Sequence, residues 1–429
     1  NKEALVAKLA KVDADSQDAK KASKAATWLA RGNAYLEAAE APSKDIFPDM
    51  DYSLATAALG RAMSQTDNVN VGGVACTEYT YPMLKVYVAG GKIHSWVVTS
   101  PVKEGDLAME ALKSYNKAFE LDPKQAPKIA EALKFVENYY SQGGNAAMDA
   151  GQFAQAAYLY NCGYTVQESP AYAGQKNSDY LYFAGYLWTV DGSNNKESFV
   201  KGAEALNKAL ASGFADENGD IYYYLYMCYY LQMDSPVRAA NLERAKQVLM
   251  EGLAKFPNND NIVEGLINIY TAADANVGNP ADLIDMVDKA LERDPKNSGL
   301  WYGRGRIFYS LKDFDKSIES FKKVVELTPD DAYTWYYIGY FYVNKADAMN
   351  EEFNQRDIKS NKEWNEGQAA ILAVYNEALP YMEKAYEMKP DFSFVETLKA
   401  LTFRLREQEG MMEKYEKYNN IYKEMKDQQ

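Results

Sequence analysis

The chain has few of the residues that most often carry catalysis or bind metals. Its 429 residues include one histidine, His94, and three cysteines, Cys76, Cys162 and Cys228. A single histidine excludes paired-histidine metal sites and histidine proton relays, and the place of His94 inside a predicted hairpin argues against a histidine-based triad. The scattered cysteines fit neither a disulfide framework nor a metal site, so we expect buried free thiols. Carboxylate pairs stay possible, but none stands at a readable spacing. We therefore expect no enzyme, cofactor or metal centre.

Basic charge and long apolar runs are also scarce. The 47 Lys and Arg residues against 61 Asp and Glu give a net charge of -14. A nucleic acid or an anionic membrane surface requires a basic face, so neither is an expected partner. No apolar run approaches the roughly 20 residues of a transmembrane helix. Because the chain begins at Asn1 rather than at methionine, we expect an exported protein, periplasmic or extracellular, with a cytoplasmic one as the alternative.

A spaced pattern of large, small and proline residues recurs along the chain, and its clearest two copies lie 34 residues apart. Trp335 follows Trp301 at this interval, and Gly339 follows Gly305. Large residues on one helix face form a stripe against a second helix, the small residue permits close approach, and a proline ends the second helix. The pattern resembles that of the tetratricopeptide-repeat (TPR) family. Its clearest copy contains Trp301, Gly305, Phe308, Phe321 and Pro329.

The resemblance extends over nearly the whole chain, in about seven repeats plus a cap. It implies an all-α, right-handed TPR superhelix (α-α solenoid) with a small β-hairpin insertion. We expect an N-terminal TPR-like unit at 1–125, a TPR array at 126–391 and capping helices at 392–429. The first repeat is split by an insertion at about 42–103, because its first helix contains Trp28, Gly32 and Tyr35 and its second contains Ala111, Tyr115, Ala118 and Pro123.

Two insertions interrupt the repeats. The first has a helix-like stretch at 52–63 and then, from Leu84 to Val98, the β-branched and aromatic residues of one hairpin with Gly90 and Gly91 near its turn. This insertion either covers an end of the array or binds a partner. The second, at about 345–376, is charged and then helical around Trp364. We expect a solvated helical extension, whereas an exposed Trp364 would mark a contact.

Tyrosine is abundant, with 35 residues. The TPR resemblance implies that first helices line a concave face and that residues beside the core stripe meet the ligand. Nine tyrosines take such positions: Tyr182, Tyr186, Tyr223, Tyr230, Tyr302, Tyr309, Tyr333, Tyr336 and Tyr340. Polar groups suited to a peptide backbone occupy equivalent positions at Asn33, Asn145, Asn268 and Arg306. Alternatively, the tyrosines fill gaps between neighbouring first helices.

The sequence therefore predicts a TPR scaffold that binds a protein or peptide in a tyrosine-rich concave groove. A glycan-binding protein that uses aromatic stacking, or an all-α carbohydrate-active enzyme, stays as the alternative. We expect Trp28, Trp301 and Trp335 to be largely buried, and Trp301→Ala to cost roughly 3 to 5 kcal/mol. Changing Tyr302 and Tyr336 together to alanine is expected to weaken partner capture with only a modest loss of thermal stability. If the tyrosines serve packing, the partner binds elsewhere, on the insertion around Trp96.

Overall fold

The computed structural model describes residues 1–232, 237–272 and 276–429. Four strands lie near the N-terminal end: β1 (Ser64–Val71), β2 (Val74–Thr80), β3 (Leu84–Ala89) and β4 (Lys92–Val98). The rest of the regular structure is helical: α1 (Lys2–Gln17), α2 (Ala25–Glu40), α3 (Tyr52–Leu59), α4 (Leu107–Leu121), α5 (Ala126–Asp149), α6 (Phe153–Gln167), α7 (Asp179–Asp191), α8 (Glu197–Ala211), α9 (Asp220–Tyr230), α10 (Arg238–Lys255), α11 (Asp260–Thr271), α12 (Ile284–Arg293), α13 (Ser298–Ser310), α14 (Phe314–Leu327), α15 (Ala332–Asn354), α16 (Asn361–Met388), α17 (Phe392–Arg404) and α18 (Met411–Asp427).

The chain divides into two compact units, Asn1–Asn241 and Leu242–Gln429. In the first unit α2 packs on α4, α5 on α6 and α7 on α8. In the second unit α13 packs on α14, α15 on α16 and α17 on α18. Each unit is therefore a stack of two-helix repeats, as the sequence predicts. The predicted division into three segments stays a prediction.

Glycines at the repeat positions bring paired helices into contact. A Cβ on Gly32 of α2 would lie 2.6 Å from the ring of Tyr115 in α4, and one on Gly305 would lie 2.3 Å from the ring of Phe321. These separations are far below van der Waals contact, so each position requires glycine unless the ring moves. The pairing of α2 with α4 confirms that the first repeat continues beyond its insertion.

The first insertion contains more β-strands than the sequence predicts. The predicted hairpin is present as β3 and β4, and Gly90 and Gly91 at its turn have φ of 58° and 77°. However, it is half of a four-stranded antiparallel sheet in the order β1-β2-β3-β4, so the prediction of one hairpin is wrong. Most β1 side chains are polar and exposed, so its sequence lacks the apolar alternation of a half-buried strand. The paired glycines between Val71 and Val74 were the available signal.

The second insertion lengthens both helices of its repeat. It extends the end of α15 and the beginning of α16, so the predicted helical extension is confirmed. Trp364 near the start of α16 is 47% exposed. Its ring centroid lies 5.2 Å from that of buried Phe353, so one side of the indole is packed while the other faces solvent.

The three repeat tryptophans are half-buried, which corrects the expectation that they are largely buried. Each donates its indole N–H to a backbone carbonyl six residues earlier: Trp28 to Ala22 (2.9 Å), Trp301 to Pro295 (2.8 Å) and Trp335 to Pro329 (2.9 Å). The indole must reach the turn before its helix to make this bond, and it stays partly exposed there. These rings therefore tie a first helix to the preceding turn.

A charged cluster joins α1, α2 and α4 at the N-terminal end. Arg31 contacts Asp13 (3.0 Å) and Glu110 (3.0 Å), and Lys103 contacts Asp13 (3.1 Å). Burial opposes ionisation of Asp13, but hydrogen bonds from Tyr35, Lys103 and Arg31 outweigh it and hold the pKa of this carboxyl below its ordinary value. The contacts of Asp13 with Arg31, Lys103 and Tyr35 therefore contribute their full stabilisation only while Asp13 is ionised.

Candidate protein-binding surface

Four of the predicted tyrosines lie on α7 and α9 of the first unit. The ring of Tyr182 stacks on Phe214 with centroids 4.6 Å apart, and the ring of Tyr186 meets Tyr224 edge-on at 4.9 Å. Tyr182 also lies 6.3 Å from Tyr224. On α9, Tyr223 and Tyr230 are half-buried; Tyr223 contacts Tyr224 directly, whereas Tyr230 is connected to Tyr223 through the buried ring of Tyr226. The structure thus brings these predicted residues together in one aromatic surface.

One face of α7 is exposed and apolar. Phe183 is 48% exposed, Tyr186 37% and Val190 39%. Their spacing of three and four residues puts them on one side of the helix. The opposite side is core, where Leu181 and Leu187 are buried. We call Phe183, Tyr186 and Val190 the α7 stripe. A helix that is apolar on both sides has more apolar surface than its own repeat covers.

Part of this surface was not predicted from the sequence. Phe183 and Val190 were not assigned to it, nor were Tyr224 and Phe214, which connect its rings. A signal was available in the sequence of α7, DYLYFAGYLWTVD, which is apolar around its whole circumference rather than along one stripe.

In the second unit the predicted tyrosines lie on α13 and α15, and two of them pack on buried phenylalanines. The ring of Tyr302 is 4.9 Å from that of buried Phe321, and the ring of Tyr336 stacks at 4.7 Å on buried Phe394. Tyr340 stacks on Tyr336 at 5.8 Å. These rings therefore fill gaps between helices while keeping part of their surface accessible.

The tyrosine hydroxyls of the second unit also have partners. The hydroxyl of Tyr333, a residue that is 38% exposed, donates to Asp391 (2.9 Å), and the hydroxyl of Tyr309 accepts from the amide of Asn344 (3.4 Å). Burial raises the pKa of Tyr309 to about 12. This hydroxyl is therefore neutral at physiological pH, and the ring offers an apolar face with a hydroxyl at its edge.

The predicted polar groups are already engaged within the fold. Asn33 accepts from the hydroxyl of Tyr115 (2.7 Å), and Asn145 accepts from that of Tyr160. Two of the other predicted residues bind each other, because Arg306 donates to Asn268 (2.7 Å), and it also donates to Thr271 (2.8 Å). Among the residues that the structure describes, the amide NH₂ groups of Asn33 and Asn145 have no hydrogen-bond acceptor, and an amide NH₂ can donate to a ligand.

The residues that could carry catalysis or bind a metal, the single histidine and the three cysteines among them, lie in packed surroundings. Within residues 1–232, 237–272 and 276–429, no group of His, Cys, Asp and Glu side chains could hold a metal ion. Nδ1 of His94 lies 3.0 Å from the hydroxyl of buried Ser95. All three cysteines are buried and free, as expected. Burial raises the pKa of the Cys162 and Cys228 thiols to about 12, so neither is a thiolate at neutral pH.

Across the part of the chain that the structure describes, no helix has the length and apolarity to cross a membrane.

Comparisons with known proteins find similarity to helical-repeat families. Residues 305–345 match the family model described as "TPR repeat", and 280–311 match "Protein prenyltransferase alpha subunit repeat". The chain is 30% identical over 105 residues to interferon-induced protein with tetratricopeptide repeats 2 of Cricetulus griseus, covering 24% of this chain and 20% of that protein. It is 23% identical over 279 residues to tetratricopeptide repeat protein 37 of Xenopus laevis, covering 57% and 17%. It thus spans about a fifth of these relatives.

Three solved structures illustrate the similarity to known helical stacks. MamA AMB-1 is 19% identical over 49% of this chain and 98% of its own, with a TM-score of 0.33. The Cut9-Hcn1 hetero-tetramer of APC/C is 14% identical over 68% and 52%, with a TM-score of 0.39. A monomeric mutant of IFIT1 with Gppp-AAAA is 14% identical over 72% and 68%, with a TM-score of 0.36. At these TM-scores the likeness carries no functional argument.

The stacked two-helix units, with 34 residues between the starts of α13 and α15, define a helical-repeat protein of the scaffold type. The repeat positions, the match of residues 305–345 to the TPR model and the TPR proteins among its relatives agree that the chain contains repeats of the tetratricopeptide type. Its fold is one that serves protein–protein interaction.

Proposed function

We propose that the chain is a scaffold that binds a protein partner through the tyrosine-rich surface of its first helices, with the main contact on the α7 stripe. The observation that carries this proposal is the exposure of Phe183, Tyr186 and Val190 along one side of a helix whose other side is core. Aromatic side chains dominate binding energy at protein interfaces, and tyrosine gives a large contact area for a small loss of conformational entropy.

The rings beside the stripe are held before a partner arrives. Tyr182 is stacked on Phe214, and Tyr224 contacts both Tyr182 and Tyr186. A ring already fixed in place loses less freedom on binding, so more of its contact energy contributes to affinity. This favours recognition of an ordered surface or helix that lies along α7.

The chemistry of the surface favours protein over nucleic acid. The net charge of -14 opposes a polyanion. In the second unit Tyr302 and Tyr336 serve packing as well, and Tyr333 is the most exposed of the five tyrosines there. We therefore assign the main contact to the first unit and a supporting role to the second.

Site-specific photo-crosslinking in the native source tests the proposal. A benzoylphenylalanine in place of Tyr186 should form an adduct with one protein, and the same residue in place of Val200 should not. Val200 is a matched control because it is 43% exposed but lies on α8, the second helix of the repeat. Phe183→Ser should reduce the adduct several-fold without changing the thermal midpoint by more than about 2 °C, as expected for a surface position.

Three outcomes would refute this assignment. Equal adducts from positions 186 and 200 would mean that the stripe has no selectivity. An adduct formed only from position 98, where Val98 of the insertion is 38% exposed, would move the partner to the sheet. An adduct with polysaccharide would favour the glycan-binding alternative.

A further inference from the structure

Three aromatic rings stand in a row between α15 and α16 of the second unit. The ring centroids of Trp335 and Tyr381 are 6.0 Å apart with planes 28° from parallel, and those of Tyr381 and Tyr342 are 5.8 Å apart at 29°. The bond from the Trp335 indole N–H to the Pro329 carbonyl fixes the first ring. None of the three belongs to the tyrosine set assigned to the partner surface.

A lysine of the chain already occupies one end of this row. Nζ of Lys322 lies 5.4 Å from the ring centroid of Tyr342 and 5.7 Å from that of Tyr381. The same ammonium donates to the Tyr342 hydroxyl at 2.9 Å. An ammonium within about 6 Å of a ring centroid is attracted by the ring quadrupole. The row therefore accommodates a cationic side chain at its Tyr342 end.

The opposite end of the row opens into a shallow cleft of about 740 Å³, and the described residues that line it include no lysine. Pro380 lies inside α16 and has no N–H, so the Asn376 carbonyl four residues earlier lacks its α-helical donor. The Glu377 carboxylate is exposed and makes no ion pair with any residue that the structure describes. The cleft thus combines the rings of Trp335 and Tyr381 with two hydrogen-bond acceptors, the Glu377 carboxylate and the Asn376 backbone carbonyl. Its lining consists of Trp335, Ala373, Asn376, Glu377, Pro380 and Tyr381.

We propose that this cleft binds a lysine side chain presented by the protein partner. An ammonium has three donors and no acceptor, which suits the Glu377 carboxylate and the Asn376 carbonyl. The aliphatic part of the lysine packs on the apolar surface of Pro380 and the indole of Trp335 while its charge stays at the polar edge. Trp335, the strongest cation-binding ring type, lies at this end of the row.

The inference rests on the proposed function, because it gives the same partner a second contact. It adds a chemical requirement, a lysine that reaches the second unit. The net charge of -14 attracts such a basic partner at long range.

Titration of the full-length chain with a blocked Gly-Lys-Gly peptide tests the cleft. The chain has six tryptophans, so ¹⁵N-tryptophan labelling gives six indole N–H signals, and Trp335→Phe identifies the relevant one. We expect a saturable shift of that signal at low salt. A norleucine peptide of the same shape should bind roughly tenfold more weakly, because it lacks the ammonium that interacts with the aromatic rings and with the Glu377 carboxylate.

Two substitutions separate binding from structure. Glu377→Gln should lower the affinity for the lysine peptide roughly threefold to tenfold. Glu366→Gln, on the same helix outside the cleft, should leave that affinity unchanged. Pro380→Ala supplies the missing N–H to the Asn376 carbonyl. It should therefore weaken binding while raising the thermal midpoint, since the helix gains a hydrogen bond. A purely structural proline would change stability without changing affinity.

Several results would overturn the inference. Equal affinity for the norleucine peptide would leave only an apolar shelf, and unchanged binding in both Glu377→Gln and Pro380→Ala would place the peptide elsewhere. If cadaverine bound more tightly than the peptide, the ligand of the cleft would be a free diamine and not a lysine side chain of a protein. Phe183→Ser should not alter peptide binding. The two tests are therefore independent: absence of peptide binding would not refute the crosslink at position 186, and absence of the crosslink would not refute peptide binding in the cleft.

Discussion

Two adjacent glycines in α5 allow the effect of close helix packing to be measured against an internal control. A Cβ on Gly144 would lie 2.7 Å from Cε1 of Tyr160, whereas a Cβ on Gly143 would meet only Cδ1 of Leu159 at 3.3 Å. Both glycines are interior to the same helix. Replacing either by alanine therefore changes helix propensity by the same amount, and only Gly144→Ala drives a side chain into a ring.

The expected magnitudes follow from two opposing effects. Alanine improves on glycine in a helix interior by about 1 kcal/mol, so Gly143→Ala should be neutral or stabilise by up to about that amount. Overpacking of a core costs about 1 to 3 kcal/mol. Tyr160 is buried and its hydroxyl donates to Asn145, so its ring cannot move without losing this bond. Gly144→Ala should therefore be about 1 to 3 kcal/mol less stable than Gly143→Ala.

Urea unfolding together with hydrogen exchange of the α5 amides measures the difference, and the exchange data confine it to this repeat. Tyr160→Phe removes the hydroxyl that holds the ring. In that background the extra cost of Gly144→Ala should fall by about 0.5 to 1 kcal/mol, because the ring is free to shift. Equal stabilities of the two alanine variants, or an identical cost with and without the hydroxyl, would refute the packing argument.

Three further outcomes are expected. Trp301→Ala should cost about 2 kcal/mol in urea unfolding, less than the 3 to 5 kcal/mol of a fully buried ring, while Trp301→Phe should cost about 1 kcal/mol for the lost hydrogen bond. The double change of Tyr302 and Tyr336 to alanine should lower the thermal midpoint by more than about 4 °C, a larger loss than the sequence predicts, because both rings pack on buried phenylalanines. Asp13 has a folded pKa below the unfolded value of about 3.9. Its contribution is thus present above that pH and lost as pH falls through the folded pKa, so Asp13→Asn should flatten this part of an acid titration followed by circular dichroism.

The repeats were predictable because their signal is local and redundant. Trp28, Gly32 and Tyr35 identify a first helix by their own spacing, and Tyr115 identifies its partner helix whatever lies between. Each packing position constrains residue size on its own, so an insertion lengthens the connection without removing the pattern. The close approach of Gly32 to the Tyr115 ring is the physical reason why the pattern persists.

The insertion was harder to predict because only part of it faces a core. β3 alternates between buried and half-buried residues, and Val86 lies in the centre of the cluster beneath the sheet. β1 is mostly exposed and pairs only with β2, so solvent rather than packing sets its side chains. Gly72 and Gly73 fix its turn through positive φ of 58° and 84°, which is a backbone signal and not a hydrophobic one.

The tyrosines show where a repeat frame stops being informative. Tyr182 and Tyr336 occupy the same position of their repeats, and each ring stacks on a phenylalanine from outside its own repeat: Phe214, in the segment after α8, and Phe394, on α17. The frame fixes the direction of each Cβ but not the neighbour that the next segment supplies, so position alone cannot separate a packed ring from an available one. Excess apolar surface can. α7 carries more large apolar residues than one face of a helix can bury, and in this structure Phe183 is one of those left outside the core. The amino-acid sequence of α7 shows that excess, and the exposures of Phe183, Tyr186 and Val190 place it on the stripe to which we assign the proposed partner.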